Sequence, residues 1–365
     1  MIRRRRGRPA IRSAMVAVIS IAILELLLVS LRHVPAIGSI TPLQNLAREL
    51  YLLDRNYLQL DPASIRWDPE LGYTLRPGEF EFSNTEFTTS YRVNSLGLRD
   101  DEASLSQPEV VVGDSFAMGW GVAQDDAFPQ VLERLTGRRV LNAAVSSYGT
   151  VRELRMLARI DTTVTTWLVI QFCNNDFFEN QQFAVEGQLM RPQPQWVHEA
   201  AAEDYRRQRR YWPGRYVVSL LGERWQRIAG TALRSPAHPD PEDPAAQRFQ
   251  AQLLLAVLEN SPVDLQPMNI VLFELNAHNR YRGLLMPALR DALGGESVPD
   301  HLKRMVVIDV AADLGPEHWY VLDDHLRPSG HWLLAERLAR VIQQPQQSLP
   351  PRRHSIDGLA HLGVP

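Results

Sequence analysis

One serine stands where a strand is predicted to end. Residues 110–112 are all valine, a run typical of a β-strand, and Gly113-Asp114-Ser115 follows directly. Glycine permits a sharp turn there, so the serine is left at the carboxyl end of the strand. Ligands of open α/β sheets bind at this edge, and a serine becomes a nucleophile when a base accepts its proton. Ser115 is therefore the first candidate for a catalytic residue.

A base for this serine is predicted near the other end of the sequence, at Asp323-Asp324-His325. An acid two residues ahead of a histidine in an extended segment can place both side chains on one side of the backbone. Asp323 could then hold His325 in the tautomer that accepts a serine proton. We predict His325 as the base and Asp323 as its partner. Asp324 is expected to point outward, and His331 to pack or face solvent in the first turn of the last helix.

A tetrahedral intermediate also needs hydrogen-bond donors for its oxyanion. Three candidates follow the ends of predicted strands: the backbone N–H of Ser115, the turn that contains Ser147 and Gly149, and the side-chain amide of Asn175. An asparagine at such a position can equally be a turn residue that bonds its own backbone. Whether Ser147 or Gly149 supplies the second donor stays open.

The elements that would position these residues alternate between strand and helix from residue 109 onward. The predicted strands are 109–113, 139–144, 166–172, 268–275 and 303–310. The predicted helices are 127–136, 151–160, 281–293 and 330–343. Repeated β-α units of this kind predict a parallel sheet with helices on both faces.

The other segments have weaker patterns. Residues 33–107 contain a helical spacing at 43–56 and a strand-like run at 85–93, and are expected to pack on the main domain as an N-terminal extension. Residues 184–262 interrupt the pattern as a helical insertion, which is either a lid or substrate wall or a solvated hairpin. Residues 344–365, with four prolines, are predicted to be disordered.

The N-terminal residues predict a membrane anchor. Residues 14–31 form a largely apolar run with one charge, Glu25, and a helix of this length spans about 27 Å, close to the thickness of a bilayer core. Six arginines precede this run and one follows it, which favours a basic cytoplasmic segment at 1–13 and a signal-anchor at 14–32. The expected location is the inner membrane, with a single span and a periplasmic catalytic domain. A cleaved signal peptide and a buried amphipathic helix are the alternatives.

Composition and motif searches exclude several classes of protein. A net charge of −3 over 365 residues gives no reason to expect a nucleic-acid partner. The single cysteine excludes an intrachain disulfide and a cysteine metal cluster. The sequence contains no HExxH metal motif, P-loop or dinucleotide-binding glycine pattern. We therefore expect neither a metal nor a cofactor.

Together, the candidate residues resemble the ordered blocks of the SGNH/GDSL hydrolase superfamily. The blocks are Gly113-Asp114-Ser115, the turn at 142–149, Asn175-Asp176 and Asp323-x-His325. The resemblance runs from about 88 to 342 and includes the lead-in YRVNSLGLR at 91–99, which is similar to that of membrane-anchored bacterial members. One position departs: Ser147 stands where the family usually has glycine.

The resemblance implies a fold and a chemistry. It implies a three-layer α/β/α sandwich with a parallel flavodoxin-like sheet, placed here at 108–343. It also implies a serine nucleophile that acts on esters without a metal. Ser115 resembles the nucleophile, Asn175 the side-chain oxyanion donor, and Asp323 and His325 the other members of the triad.

Three functions are compatible with this pattern. The first is hydrolysis of ester bonds in an acylated envelope glycan or lipid. The second, an O-acyltransferase that modifies a polysaccharide, uses the same triad and stays open. The third is a non-catalytic, membrane-tethered glycan-binding or assembly protein, and the serine at 147 is its main support.

Overall fold

A parallel β-sheet forms the centre of this computed structural model. The structure describes residues 7–40, 42–106, 108–229, 240, 242–277 and 285–344. The tail predicted to be disordered lies outside these residues beyond 344, as do residues 1–6 and residues 281–284 of one predicted helix.

The secondary structure alternates as the sequence predicts from residue 109 onward. The strands of the described residues are β1 (Ile65–Asp68), β2 (Gly72–Leu75), β3 (Gly78–Asn84), β4 (Phe87–Val93), β5 (Glu109–Val112), β6 (Val140–Asn142), β7 (Trp167–Phe172), β8 (Asn269–Glu274) and β9 (Val306–Ile308). The helices are α1 (Gly7–Leu31), α2 (Gln44–Asp54), α3 (Ser115–Met118), α4 (Phe128–Thr136), α5 (Thr150–Leu157), α6 (Asp176–Glu186), α7 (Gln195–Arg209), α8 (Arg215–Ala229), α9 (Pro244–Glu259), α10 (Leu285–Leu293), α11 (Asp300–Lys303) and α12 (Pro328–Gln343).

The central sheet has the strand order β6-β5-β7-β8-β9 within the described residues, and every neighbouring pair is parallel. This is a flavodoxin-like order. The chain passes from β5 to β6 on one side, and then crosses back to place β7 on the other side of β5, which is where the strand order reverses. Helices flank the sheet: α4 packs against α12, and α9 packs against α6 and α10. The predicted α/β fold class is therefore confirmed. The carboxyl end of β5, where Ser115 follows, lies at the point where ligands bind in such sheets.

Two antiparallel hairpins precede the sheet, β1 with β2 and β3 with β4. The strand predicted at 85–93 begins only at Phe87, because residues 85–86 form the turn of the second hairpin. The sequence did not predict β1, β2 or β3, since the prolines and glycines around them resemble a loop. Their apolar side chains share one hydrophobic core with the sheet; Leu71, Leu75 and Tyr91 are fully buried members of it.

The segment at 91–99 supports the loop that follows Ser115. Arg99 is fully buried, and its guanidinium donates to the carbonyl oxygens of Met118 (3.2 Å) and Val122 (2.7 Å). It also lies over the ring of Tyr91, 3.7 Å from the centroid. Buried backbone carbonyls need donors, and this arginine supplies several of them at once.

The insertion between β7 and β8 packs against the N-terminal helices. Tyr205 of α7 donates to the carbonyl of Arg55 at 2.6 Å, and Arg215 of α8 pairs with Asp54 at 2.6 Å. The insertion therefore contacts the N-terminal extension directly, and its role as a lid, a substrate wall or a solvated hairpin stays a prediction. It helps to hold the C-terminal end of α2 in place.

Glu25, the charge that interrupts the apolar N-terminal run, is buried in this structure. Its carboxylate accepts from the backbone N–H groups of Tyr216 and Val217, at 3.3 and 3.1 Å, in the first turn of α8. A carboxylate is stabilised at this end of a helix, because the first N–H groups have no partner within the helix.

The N-terminal helix passes the criteria for a membrane span. Within α1, the stretch Ile11–Leu31 is long and apolar enough to cross a bilayer, and most of its side chains are exposed. A signal sequence has the same properties, so this observation supports a membrane anchor or a signal sequence without distinguishing them.

Candidate active site

Ser115 begins α3 directly after the turn that ends β5. Asp114 caps this short helix, because its carboxylate accepts the N–H of Phe116 at 2.9 Å. Gly113 is required by space: a Cβ at this position would lie 2.7 Å from Cβ of Ala117 and 2.7 Å from Oε1 of Gln171. The three-residue motif therefore combines a close backbone approach, a helix cap and the hydroxyl.

The structure brings Ser115, His325 and Asp323 together in one chain of hydrogen bonds. Oγ of Ser115 lies 2.7 Å from Nε2 of His325, and Nδ1 of the same imidazole lies 2.6 Å from Oδ1 of Asp323. All three residues are buried. In this arrangement Nδ1–H donates to the carboxylate, and Nε2 is free to accept the serine proton.

The carboxylate of Asp323 has further donors, which come from outside the loop. The hydroxyl of Tyr51 in α2 and Nε1 of Trp120 both donate to its second oxygen, the latter at 3.2 Å. Hydrogen bonds to the charged form stabilise a buried carboxylate. Although burial opposes the charge, His325 and Arg55 lower the pKa of Asp323, so it stays ionised.

Asp324 does not point outward as we expected from its spacing. Its Oδ1 lies 3.2 Å from Nδ1 of His325 and 2.6 Å from Nη2 of Arg55. The reason is Arg55, directly after α2, which also lies 3.7 Å from Asp323. Although burial opposes the charge, His325 and Arg55 hold the pKa of Asp324 well below its usual range. The imidazole therefore faces two carboxylates and one guanidinium.

Two aromatic rings pack against the imidazole of His325, and two carboxylates influence its protonation state. The ring of His325 stacks on Trp120, with 5.0 Å between centroids and 18° between planes, and also contacts Phe116 at 4.7 Å. Burial opposes protonation, but Asp323 and Asp324 outweigh it and raise the pKa of His325 to about 9. The resting site thus favours imidazolium at neutral pH, and the neutral base becomes predominant in alkaline solution.

The β3–β4 hairpin fixes the loop that carries Asp323. Glu86, in the turn of the hairpin, accepts from the backbone N–H groups of Val321, Leu322 and Asp323 at 2.8, 2.7 and 2.7 Å. Three donors on one carboxylate leave the loop little freedom to move. Glu86 therefore positions Asp323 although it does not touch the imidazole.

The turn after β6 is attached to the turn that carries the serine. Val145 donates its N–H to the carbonyl of Gly113 at 3.1 Å. Ser147 has φ 60°, and it is the only non-glycine residue with a positive φ in the described chain. The serine thus adopts the left-handed conformation that glycine favours. Its hydroxyl accepts from Nε2 of Gln59 at 3.0 Å.

The other two candidate oxyanion donors, Gly149 and Asn175, both form hydrogen bonds near this turn. The N–H of Gly149 donates to Oε2 of Glu179 at 3.3 Å, so this donor already has a partner. Asn175 donates one side-chain N–H to the carbonyl of Tyr148 at 3.3 Å, which ties it to the same turn. The second N–H of that amide has no partner in the described part of the chain.

His331 takes no part in this arrangement. Its Nδ1 accepts the N–H of Phe128 at 3.2 Å, and the two rings stack with 18° between their planes. Burial lowers the pKa of His331 to about 3, so it is neutral. As expected from the sequence, it packs in the first turn of α12.

Among the residues that the structure describes, one group of side chains has ligand atoms close enough for a metal ion. These are Asp323, Asp324 and His325, whose ligand atoms lie within 4.8 Å of one another. The guanidinium of Arg55 already supplies a positive charge to both carboxylates. The donor set therefore fits an internal ion-pair network better than a cation site.

Sequence reasoning missed four residues that hold the triad: Tyr51, Arg55, Glu86 and Trp120. Each lies far from the motifs along the chain or belongs to no recognisable pattern. The helical spacing at 43–56 indicated an element there, but nothing in it indicated a contact with Asp323. Trp120 is buried, as a large aromatic side chain in the core would be, and it also donates to the carboxylate of Asp323.

Comparison with known proteins gives similarity in structure only. No family model matches the chain. No curated protein sequence matches it. One similar solved structure is described as a lipolytic protein of the G-D-S-L family from Desulfitobacterium hafniense DCB-2; it shares 14% identity and a TM-score of 0.37 over 65% of this chain and 99% of its own. Another is the lipase Lip_vut3 from a goat rumen metagenome, with 16% identity and a TM-score of 0.32 over 65% of this chain and 98% of its own.

The family named for the first of these structures is the one that the sequence motifs resemble. At such low identities and TM-scores, however, the similarity carries no argument about activity. The functional proposal below therefore depends on the geometry of the site.

Proposed function

We propose that this chain is a serine-dependent ester hydrolase of the SGNH/GDSL type. The observation that carries the proposal is the relay from Ser115 through His325 to Asp323, with distances of 2.7 and 2.6 Å. A hydroxyl, an imidazole and a buried carboxylate in this order are the parts that nucleophilic acyl transfer requires.

In the proposed reaction, Oγ of Ser115 attacks the ester carbonyl carbon while its proton passes to Nε2 of His325. The tetrahedral intermediate collapses, and the alcohol leaves with the proton from the imidazolium. Water then attacks the acyl-enzyme, again with His325 as the base, and releases the acid. Asp323 stays ionised throughout and orients the ring.

The oxyanion of the intermediate is assigned to three donors: the N–H of Ser115, the N–H of Ser147 and the side chain of Asn175. Between the two candidates in the turn we favour Ser147, because the N–H of Gly149 is bonded to Glu179. The left-handed conformation of Ser147 weakens the case for a non-catalytic protein, since the serine adopts a positive φ of the kind that glycine favours.

The proposed substrate is an acylated glycan or lipid of the cell envelope. Its support is the apolar helix α1, which we propose anchors the domain to the inner membrane with the site on the periplasmic side. Transfer of the acyl group to a sugar hydroxyl would use the same residues, with the sugar in place of water.

Kinetics with an aryl ester test the proposal. The full chain in detergent should hydrolyse 4-nitrophenyl acetate, and Ser115→Ala and His325→Gln should each lose nearly all of this activity. Adding an oligosaccharide acceptor separates the two chemistries, because a transferase would yield acetylated sugar in preference to acetate. Equal rates for the wild type and Ser115→Ala would refute the assignment.

A further inference from the structure

A cleft of about 430 Å³ adjoins the proposed oxyanion site. It lies between the β1–β2 hairpin, the first turns of α5 and α6, and α7. The residues that matter for its chemistry are Trp67, Arg152, Arg155, Phe178, Arg191 and His198. Asn175 lines it as well, so the cleft begins where the reacting ester is proposed to lie.

Two arginines that form no close ion pair among the described residues contribute positive charge to the cleft. Arg155 donates to the carbonyls of Glu70 and Met190, at 3.4 and 2.9 Å, and Arg191 donates to the carbonyls of Gln188 and Met190, at 2.8 and 2.9 Å. Neither has a carboxylate partner within 4 Å among the described residues. Burial is the main cause that lowers the pKa of Arg155; the neighbouring Arg191 adds to this effect, and the carboxylates of Glu179 and Glu70 act against it.

Arg152 differs from these two, because Glu179 neutralises it at 2.7 Å. It also donates to the carbonyl of Ser147. This pair therefore supports the turn beside the oxyanion site, and the positive charge available to a ligand is that of Arg155 and Arg191. Guanidinium groups with free N–H donors bind carboxylates in a planar, two-point geometry.

Half-buried rings provide flat surfaces in the same cleft. Trp67 and His198 lie with ring centroids 6.2 Å apart, and Phe178 lies on α6. These rings form part of the wall of the cleft.

We propose that this cleft binds an anionic saccharide unit of the substrate. Its carboxylate would lie against Arg155 and Arg191, and its ring against Trp67. The acylated position next to this unit would then reach Asn175 and Ser115. The placement of the acylated position at Ser115 rests on the proposed hydrolase function, whereas binding of the saccharide in the cleft does not.

Binding to the full chain in detergent, with Ser115→Ala to prevent turnover, tests this inference by isothermal titration calorimetry. The probes are an acidic trisaccharide of galacturonic acid and a neutral trisaccharide of galactose. We expect the acidic probe to bind more tightly and its affinity to fall with added salt. Adding Arg155→Gln and Arg191→Gln should weaken it about tenfold or more. Arg138→Gln is the matched control. Arg138 lies in the loop before β6, outside the cleft, so this variant should not change the affinity for the acidic probe.

Equal affinity for the acidic and neutral probes, or unchanged affinity after both arginines are replaced, would overturn the inference. Tighter binding of glycerol phosphate than of the acidic trisaccharide would also overturn it, in favour of a lipid headgroup. Hydrolysis of 4-nitrophenyl acetate by the wild type, measured in parallel, keeps the proposals separate. Ester hydrolysis without saccharide binding contradicts the cleft alone, and binding without hydrolysis contradicts the hydrolase alone.

Discussion

At the scale of single residues, the unusual feature is the number of charges around one imidazole. His325 faces Asp323 and Asp324, and Arg55 bridges the two carboxylates. Two anions stabilise the imidazolium that forms during the reaction, but they also favour the protonated form of the imidazole before the reaction begins. The arrangement therefore stabilises the positive charge of His325 in the transition state, but it lowers activity in neutral solution because less of the neutral base is present.

The pH dependence of kcat/KM tests this account of His325. Its neutral form is the base, so the activity should increase with pH until the pKa of about 9 is passed. Replacing Asp324 with Asn removes one interaction that raises this pKa, so the rise should move to lower pH. Asp264→Asn, on an exposed loop, should leave the profile where it is. A profile that is unchanged in Asp324→Asn would exclude the second carboxylate as a cause.

The role of Asn175 can be measured on its own. The Asn175→Ala variant should reduce kcat on the order of 10²-fold with little change in folding, because it removes one oxyanion donor. Thermal unfolding of the variant is the control for stability. Turnover equal to that of the wild type would remove Asn175 from the oxyanion site.

The sequence predicted which residues of the triad meet, since each member lies in a short motif at the end of an element. Gly113-Asp114-Ser115 and Asp323-x-His325 carry their geometry locally. Tyr51 and Arg55 could not be predicted in the same way, because their contacts depend on how α2 packs against a loop some 270 residues away. Local patterns do not encode such distant packing.

At the scale of elements, the hairpin β3–β4 and the helix α2 act as supports for the loop at 321–325. The hairpin holds the backbone of the loop through Glu86, and α2 holds its carboxylates through Tyr51 and Arg55. Rigid elements that position a loop from two sides reduce the reorganisation needed in the transition state.

Removing the hairpin contact should therefore impair catalysis without unfolding the domain. We expect Glu86→Ala to lower kcat by roughly 10- to 100-fold, because small displacements of catalytic groups are costly. KM should change little. Glu81→Ala, on the exposed side of the same hairpin, is the matched control. If both variants behave like the wild type, the loop does not depend on the hairpin.

Elements were predictable where the hydrophobic pattern was continuous. All residues of β7 are buried, and its apolar run predicted the strand almost to the residue. The predicted strand at 303–310 is shorter in the structure, because α11 takes its first residue and β9 begins at Val306. The strands β1, β2 and β3 escaped prediction, since strands between closely spaced turns have no clear period, whereas the run at 85–93 indicated β4.

At the scale of the whole molecule, the extension before the sheet and the insertion within it contribute to one assembly with the catalytic residues. The extension supplies Arg55 and Glu86, and the insertion holds α2 through Tyr205 and Arg215. The first turn of α8, in the insertion, also donates a backbone hydrogen bond to the carboxylate of Glu25 in α1. The apolar helix is thus linked to the active site through only two intervening helices.

Membrane extraction tests the proposed anchor. The full chain should stay in the membrane pellet after alkaline carbonate treatment and enter solution only with detergent, because Ile11–Leu31 would be held by hydrocarbon. Intact mass should show the N-terminal residues still attached. Release by carbonate, or a mature chain that begins after residue 31, would favour a cleaved signal peptide.

Labelling with a fluorophosphonate tests the central claim most directly, because this reagent reacts with a serine only when a neighbouring base activates it. The account predicts one covalent adduct per chain, located on Ser115 by peptide mass spectrometry, and faster labelling at pH 9 than at pH 7. His325→Gln should slow the labelling strongly. An absence of labelling in the folded wild type, or equal labelling of Ser115→Ala, would contradict the account.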